Sequence, residues 1–249
     1  FASINKGQIE QIEIVAPPLP EQRRIVGILD EAFDGIATAK ANAERNLQNA
    51  RTLFESHLHA VFAHRGPGWV EKRLGDVCEL IDCLHKTPTY EETGFPMVRV
   101  TDIKPGYLNL SKTRKVDKNT FMEFSKKHAS QVGDIVFSRV GSYGVSALVN
   151  SPEPFCLGQN TIFLVPNINP LFLYFFLNSP AAKTQFDDFV EGTTQPTISM
   201  KSIRRVAINV PSISVQNEIS AKLEAISHET QRLESLYQRK LAALAELKK

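Results

Sequence analysis

One motif occurs twice in this chain, and each copy leads into a long helical pattern almost free of breaking residues. At a constant offset of 194 positions, Ile4, Ile9, Ile14, Pro17, Gln22, Ile25, Leu29 and Leu47 meet Ile198, Ile203, Ile208, Pro211, Gln216, Ile219, Leu223 and Leu241 with no gap. The repeat is much longer than a solenoid unit and encloses a large segment that does not repeat. Such an arrangement implies a pseudo-symmetric molecule that presents two equivalent features at a fixed separation.

Past Pro20 no proline interrupts the chain up to His64, and only Gly27 and Gly35 dilute the helix formers. Ile25, Leu29, Ala32, Ile36, Ala39, Ala43, Leu47, Ala50, Phe54, Leu58 and Val61 fall at steps of three and four, the spacing of a helix-packing seam. At 1.5 Å per residue the helix makes a rod of roughly 65 Å. A second seam, Ile219, Leu223, Ile226, Thr230, Leu233, Tyr237, Leu241 and Leu244, runs through 214–247 without Gly or Pro. Two such seams cannot both face water, so the economical arrangement is an antiparallel pair. The alternative, each helix lying on the globular part, is disfavoured because a domain of this size is only about 30 to 40 Å across.

The intervening texture is different, with short β-rich runs punctuated by turns after the breaker at 65–70. Strands are predicted at 79–82, 96–99, 134–139, 145–149, 161–165 and 207–210, and helices at 170–178 and 181–191. The fold class is therefore α+β: one mixed domain flanked by two long helices forming an antiparallel coiled coil.

Several function classes drop out. A net charge of +2 gives no global signature of a nucleic-acid binder, so any such case must rest on local clustering. Cys78, Cys83 and Cys156 form an odd, sparse set that fits buried structural thiols in a reducing cytoplasm, and Cys78, Cys83 and His85 lack the second ligand pair of a zinc site. No run is long and apolar enough to span a bilayer, and no signal peptide is visible, so no membrane partner is expected. No glycine-rich cofactor loop, Walker loop, HExxH or GxSxG occurs, and the acidic pair Asp187 and Asp188 reads as a solvated helix face. The chain opens on Phe1, directly upstream of a motif copy, and reads as a piece of a longer protein.

The repeated isoleucine pattern ending in Pro-x-(Leu/Ile)-x-x-Gln-x-x-Ile resembles that of the specificity subunit of type I restriction-modification enzymes. Further runs resemble the same family: Gly68-Trp69-Val70 with Leu74-Gly75-Asp76, Val98-Arg99-Val100-Thr101-Asp102-Ile103, Gly133-Asp134-Ile135-Val136-Phe137-Ser138-Arg139, and Gly192-Thr193-Thr194-Gln195-Pro196-Thr197-Ile198-Ser199. The resemblance implies a tail of a preceding recognition domain at 1–19, a central spacer helix at 20–66, one target recognition domain at 67–212 and a distal spacer helix at 213–249. It also implies a non-catalytic subunit that reads one half-site of a bipartite double-stranded DNA target. Two half-sites are read either within one longer chain or by pairing chains through the helices. Methyltransferase subunits and a restriction/translocase subunit are the implied partners. No cofactor is expected in this chain, S-adenosylmethionine being placed on the methyltransferase subunit. The helices then act as a ruler for half-sites one to two turns of B-DNA apart. A coiled-coil scaffold that never touches DNA is the competing reading.

Between Lys86 and Arg139 ten cations face six anions, an excess that suits phosphate contacts on loops. The candidates are Lys86, Arg99, Lys104, Lys112, Arg114 and Arg139. Base edges call for planar or bidentate groups and small hydroxyls, which singles out Arg139 with Ser142 and Tyr143, Gln159 with Asn160, and Thr193, Thr194 and Gln195. Bland readings stand beside these: Arg99 as ion-pair partner of Asp102 or Asp134, Gln159 and Asn160 as a polar turn, and Gly141 to Gly144 as a simple turn rather than a phosphate clamp.

Overall fold

The structure, a computed structural model, describes residues 4–64, 66–192 and 194–247. In chain order the elements are α1 (Lys6–Glu10), α2 (Leu19–Ala63), β1 (Val70–Arg73), α3 (Leu74–Val77), β2 (Cys78–Asp82), β3 (Phe95–Val98), β4 (Arg114–Val116), α4 (Lys118–Phe124), β5 (Ile135–Ser138), β6 (Ser146–Leu148), β7 (Cys156–Leu157), β8 (Thr161–Pro166), α5 (Pro170–Leu177), α6 (Pro180–Phe189), α7 (Met200–Arg205), β9 (Ala207–Val210) and α8 (Ile213–Glu246). Contacts divide the chain into two units. One is Thr52–Thr230, and the other joins the residues before Thr52 to those after Thr230.

Within Thr52–Thr230 the strands form three sheets, ordered β1-β9, β2-β8-β5-β6 and β4-β3-β7. The four-stranded sheet is antiparallel throughout and is buried on both faces. Ile135 and Phe137 of β5 join one core while Val136 joins another, which explains a continuous apolar run where a half-exposed strand would alternate. The larger core collects Leu58 and Phe62 from α2, Phe172 to Leu177 from α5, Leu164 from β8, Ile203 from α7 and Leu223 from α8. Residues far apart in sequence thus share one apolar interior. Helix α5 is apolar on every side because six successive residues, Phe172 to Leu177, are buried. The Phe62 ring lies 5.3 Å from that of Phe172 and 5.7 Å from that of Phe176, distances typical of tilted and edge-to-face aromatic pairs. Pro170 and Pro180 occupy first-turn positions, with Asn169 and Ser179 as the capping acceptors for Phe172 N and Ala182 N.

The two long helices run antiparallel. Arg51 Nε donates to Glu234 Oε1 at 2.8 Å, and further along α2 His57 and Val61 line a groove with Ile219, Leu223 and Ile226 of α8. Rising numbers on one helix therefore meet falling numbers on the other, as the paired seams require.

The predicted strands and helices return within a residue or two, with one difference that matters. Arg99, expected as the last residue of a strand, instead caps a one-turn 3-10 helix over Val100–Asp102, because Asp102 accepts its backbone N–H at 3.0 Å. The short elements β1, α3, β4, α4, β7 and α7 carry no periodic signal of their own.

Both motif copies fold alike locally. Asn5 caps α1 by accepting from Gln8 N at 2.9 Å, and Ser199, at the equivalent position, caps α7 by accepting from Ser202 N at 3.0 Å. Gln22 Nε2 donates to Pro17 O at 2.7 Å, and Gln216 Nε2 donates to Pro211 O at 2.8 Å. Burial separates the copies: Ile198, Ile203 and Ile208 are inside the core, whereas Ile4, Ile9 and Ile14 are exposed. The reason is a partner. β9 pairs antiparallel with β1, and 13–16, the positions matching β9, pair with no strand among the described residues.

Gln216 does more than its counterpart. Its Oε1 accepts from Asn169 N at 3.0 Å, while the Asn169 side chain donates to Asn217 Oδ1 and accepts from Ser220 Oγ, stitching the start of α5 to the first turns of α8. Replacing Gln216 with Ala strips a partner from a main-chain N–H and should cost about 1–3 kcal/mol. Gln22→Ala, at an exposed site, should fall within about 0.5 kcal/mol of zero. Urea unfolding followed through the single tryptophan, Trp69, which sits against Phe172, measures both.

Candidate nucleic-acid interface

Strand direction brings the candidate residues to one end of the four-stranded sheet. β2 and β5 both run antiparallel to β8, so the ends of β2 and β5 lie beside the start of β8, with Asp82 opposite Ile162 and Ser138 opposite Thr161. β7 pairs in parallel with β3, and Gly158 N donates to Val98 O at 2.8 Å, which brings the chain after β3 to the same place. Arg99, Arg139, Gln159 and Asn160 therefore converge although they are spread over more than sixty positions of sequence.

A cavity of about 260 Å³ opens there, lined by Thr87, Pro88, Tyr90, Arg99, Val100, Thr101, Gln159 and Asn160. Gln159 Nε2 donates to Thr87 Oγ1 at 3.3 Å. Arg114, on β4, lays its guanidinium 4.7 Å above the Tyr90 ring, a cation–π contact at the cavity edge. Asn160 holds φ at 66°, a left-handed conformation that asparagine tolerates better than most residues, and its carbonyl accepts from Arg139 N at 2.9 Å.

The two arginines are held in different ways. Arg139 donates from Nε to Ile198 O at 3.2 Å and from Nη1 to Asp82 Oδ1 at 3.0 Å, and its side chain is only 15% exposed. Arg99 donates from Nε and Nη2 to the two oxygens of Asp102, each at 2.9 Å, and is 30% exposed. Of the two ion-pair partners open to Arg99, the structure selects Asp102. That hydrogen bond holds the guanidinium pKa above its already high ordinary value. Asp134, itself buried, instead accepts from His128 Nε2 at 2.7 Å and from Gln131 N at 2.7 Å.

The remaining candidates spread out from this centre. Gly141 N donates to Pro196 O at 2.9 Å, which places Ser142 in a turn beside the exposed Thr194 and Gln195; Thr193 lies outside the described residues. The 141–144 segment is a turn with φ of 69° at Gly141 and 79° at Gly144. A Cβ at Gly144 would come within 2.9 Å of the Phe186 ring. Tyr143 donates to Asp187 Oδ1 at 2.9 Å, which raises its pKa and ties it to α6. Lys86 is paired with Glu123. Lys104 and Lys112 are exposed in a segment anchored elsewhere, through Tyr107 to Glu224 of α8, and neither lines the cavity.

Asp82, Thr87 and Tyr90 belong to this region and were not singled out from sequence. The run of threonine and proline at 87–89, next to Tyr90, was the available signal. Asp82, Cys83 and His85 are the one group of potential metal ligands gathered among the described residues. Asp82 already accepts from Arg139 and contacts His85 Nε2 at 3.0 Å, so a fixed positive charge stands where a cation would have to sit. Burial pushes the Cys83 thiol pKa up and drives those of Cys78 and Cys156 to about 12, so none is a ready thiolate at neutral pH.

A two-stranded seam and a polar sheet end are not specific to one family, but this combination has relatives. The family model of the type I restriction modification DNA specificity domain matches residues 67–240, and the chain belongs to that family. It is 25% identical over 253 residues to the type I restriction enzyme EcoKI specificity subunit of Escherichia coli strain K12, covering 90% of this chain and 52% of that protein. To the EcoBI specificity subunit of Escherichia coli it is 26% identical over 136 residues, covering 53% of this chain and 28% of that one. The chain thus spans about half or less of these two curated relatives. Its fold is similar to a chain solved in work on complex assembly and conformational transition of the type I R-M system, with TM-score 0.74, 22% identity, and 93% and 57% of the two chains covered. It is also similar to the HsdS subunit from Thermoanaerobacter tengcongensis, with TM-score 0.61, 21% identity, and coverage of 99% and 60%.

The Arg139 pair is structural as well as central. Arg139→Met leaves Asp82 without its cation and Ile198 O without its donor, and should lower stability by about 1–3 kcal/mol. Thermal unfolding monitored at Trp69 checks it.

Proposed function

We propose that this chain reads one half-site of a bipartite double-stranded DNA target as a non-catalytic specificity subunit, with the sheet end around Arg99, Arg139, Gln159 and Asn160 facing the duplex. The observation that carries this reading is that Arg99, Gln159 and Asn160 line one cavity at the sheet end, with Arg139 bonded to Asn160 beside it, in a chain of the DNA specificity family. Arginine, glutamine and asparagine are the side chains that match base edges bidentately, and Arg114 and Lys86 nearby suit phosphates. In this reading the antiparallel helices hold two reading domains at a set separation and dock methyltransferase subunits, which carry S-adenosylmethionine. A restriction/translocase subunit completes the assembly in a prokaryotic cytoplasm.

The exposed first motif copy supports the same organisation. Its capping bonds match those of the second copy, yet the isoleucines that the second copy buries against its domain stand in water. We read 1–19 as the tail of another recognition domain, whose strand would pair with 13–16 as β1 pairs with β9.

Fluorescence anisotropy of labelled random-sequence duplexes titrated at rising salt tests DNA binding. A reader that neutralises several phosphates loses affinity steeply, with log K falling by about 0.9 per phosphate for each tenfold rise in salt. A slope near zero, or no binding at low salt, would return the chain to the class of coiled-coil scaffolds.

A further inference from the structure

The two arginines at the sheet end are not equivalent, and the difference assigns them different tasks. A guanidinium has five N–H donors arranged along its edges. In Arg99 the side edge, Nε and Nη2, is fully taken by the Asp102 carboxylate. Among the described residues Nη1 has no hydrogen-bond partner, so the distal edge, made of Nη1 and the second N–H of Nη2, remains available. In Arg139 the bonds from Nε and Nη1 fall on two different sides of the group, and the side chain is half as exposed.

We propose that Arg99 is the residue that reads a guanine in the half-site, through that distal edge, and that Arg139 is a positioning residue that holds the sheet end together. The assignment rests on the DNA-reading function proposed above and deepens it. Guanine offers O6 and N7 as two adjacent acceptors in the major groove, the pattern that a guanidinium fork meets with two parallel bonds. Asp102 cannot be such a partner for DNA, since its carboxylate is used by the Arg99 side chain and by the Arg99 backbone N–H at 3.0 Å. Its effect is to fix the fork before DNA arrives, so little side-chain freedom is lost on binding.

Two neighbours reinforce the arrangement. Gly158 leaves room for the arginine stem: a Cβ there would approach Arg99 Cγ to 3.3 Å and Val98 O to 3.3 Å. Gln159 commits its amide nitrogen to Thr87, which turns its oxygen into the remaining acceptor for an exocyclic amine on the adjoining base.

Selection from a random duplex library with the full 249-residue chain, followed by sequencing, tests the assignment. The wild type should enrich a motif with an invariant guanine. Arg99→Lys keeps the charge and loses the fork, and should cut the preference for that one guanine by roughly 5- to 150-fold while leaving the other positions as they were. Asp102→Asn should weaken the same position to a smaller extent. Replacing that guanine with 7-deazaguanine, which lacks the N7 acceptor, should weaken wild-type binding and leave Arg99→Lys unaffected. A guanine preference that survives Arg99→Lys overturns the assignment. So does a uniform loss at every position together with a salt slope reduced by about one, the behaviour of a phosphate contact. A wild type that selects no motif would instead overturn the DNA-reading function itself, a result distinguishable from either of these.

Discussion

The structure of Thr52–Thr230 depends on one shared apolar interior. Phe62 near the end of α2, the aromatic run of α5 and Leu223 of α8 are separated by more than a hundred positions at the extremes, and they occupy the same core as the inner face of the four-stranded sheet. Burial of a large side chain is worth about 1.5–3 kcal/mol, so a core that draws on α2, α5, α7, α8 and the four-stranded sheet makes the folding of these elements cooperative. The consequence reaches the polar end of the sheet. β5 and β8 are packed on both faces, and the residues just past their ends, Arg139 and Asn160, inherit positions that the core has fixed.

Positions alone do not make a reader of base edges, because a long cationic side chain on a fixed backbone still samples many rotamers. Here each of the two arginines is tethered by a carboxylate, Asp102 or Asp82. The lysines of the same segment are exposed, and none of them lines the cavity. This division follows from chemistry: a planar guanidinium can be gripped along one edge and still present another, whereas an ammonium is a point donor that gains little from being held. With a net charge of only +2, long-range attraction to a polyanion is weak, so the DNA-reading function proposed above calls on short-range complementarity for its selectivity.

Much of this was accessible from sequence because the signals were long. Seams of eight or more positions at helical spacing defined α2 and α8 to within a residue, and runs such as Ile135 to Phe137 defined sheet interior. The short elements escaped, since the two residues of β7 or the three of β4 cannot display a period. At the site, residue types were visible and their pairing was not. Asp82 and Arg139 are 57 positions apart, and only the parallel relation of β2 and β5 makes them neighbours. Arg99 was misplaced onto a strand because Val98 and Val100 favour one. The Asp102 carboxylate, accepting three hydrogen bonds from Arg99, outweighs that preference.

The duplicated motif separates what local sequence determines from what tertiary packing adds. Asn5 and Ser199 differ in identity yet cap their short helices in the same way, and Gln22 and Gln216 return to the proline five residues earlier with nearly the same geometry. These bonds form whether or not a domain lies against them, so the turn from short helix through extended chain into long helix is encoded within about twenty residues. Strand character is not so encoded. The second copy gains it from β1, and its isoleucines become core only because α5, α6 and the sheet stand over them. A motif whose shape is autonomous and whose apolar face is completed by another element is suited to joining a sheet domain to a long helix: the domain can change its loops while the junction keeps its geometry.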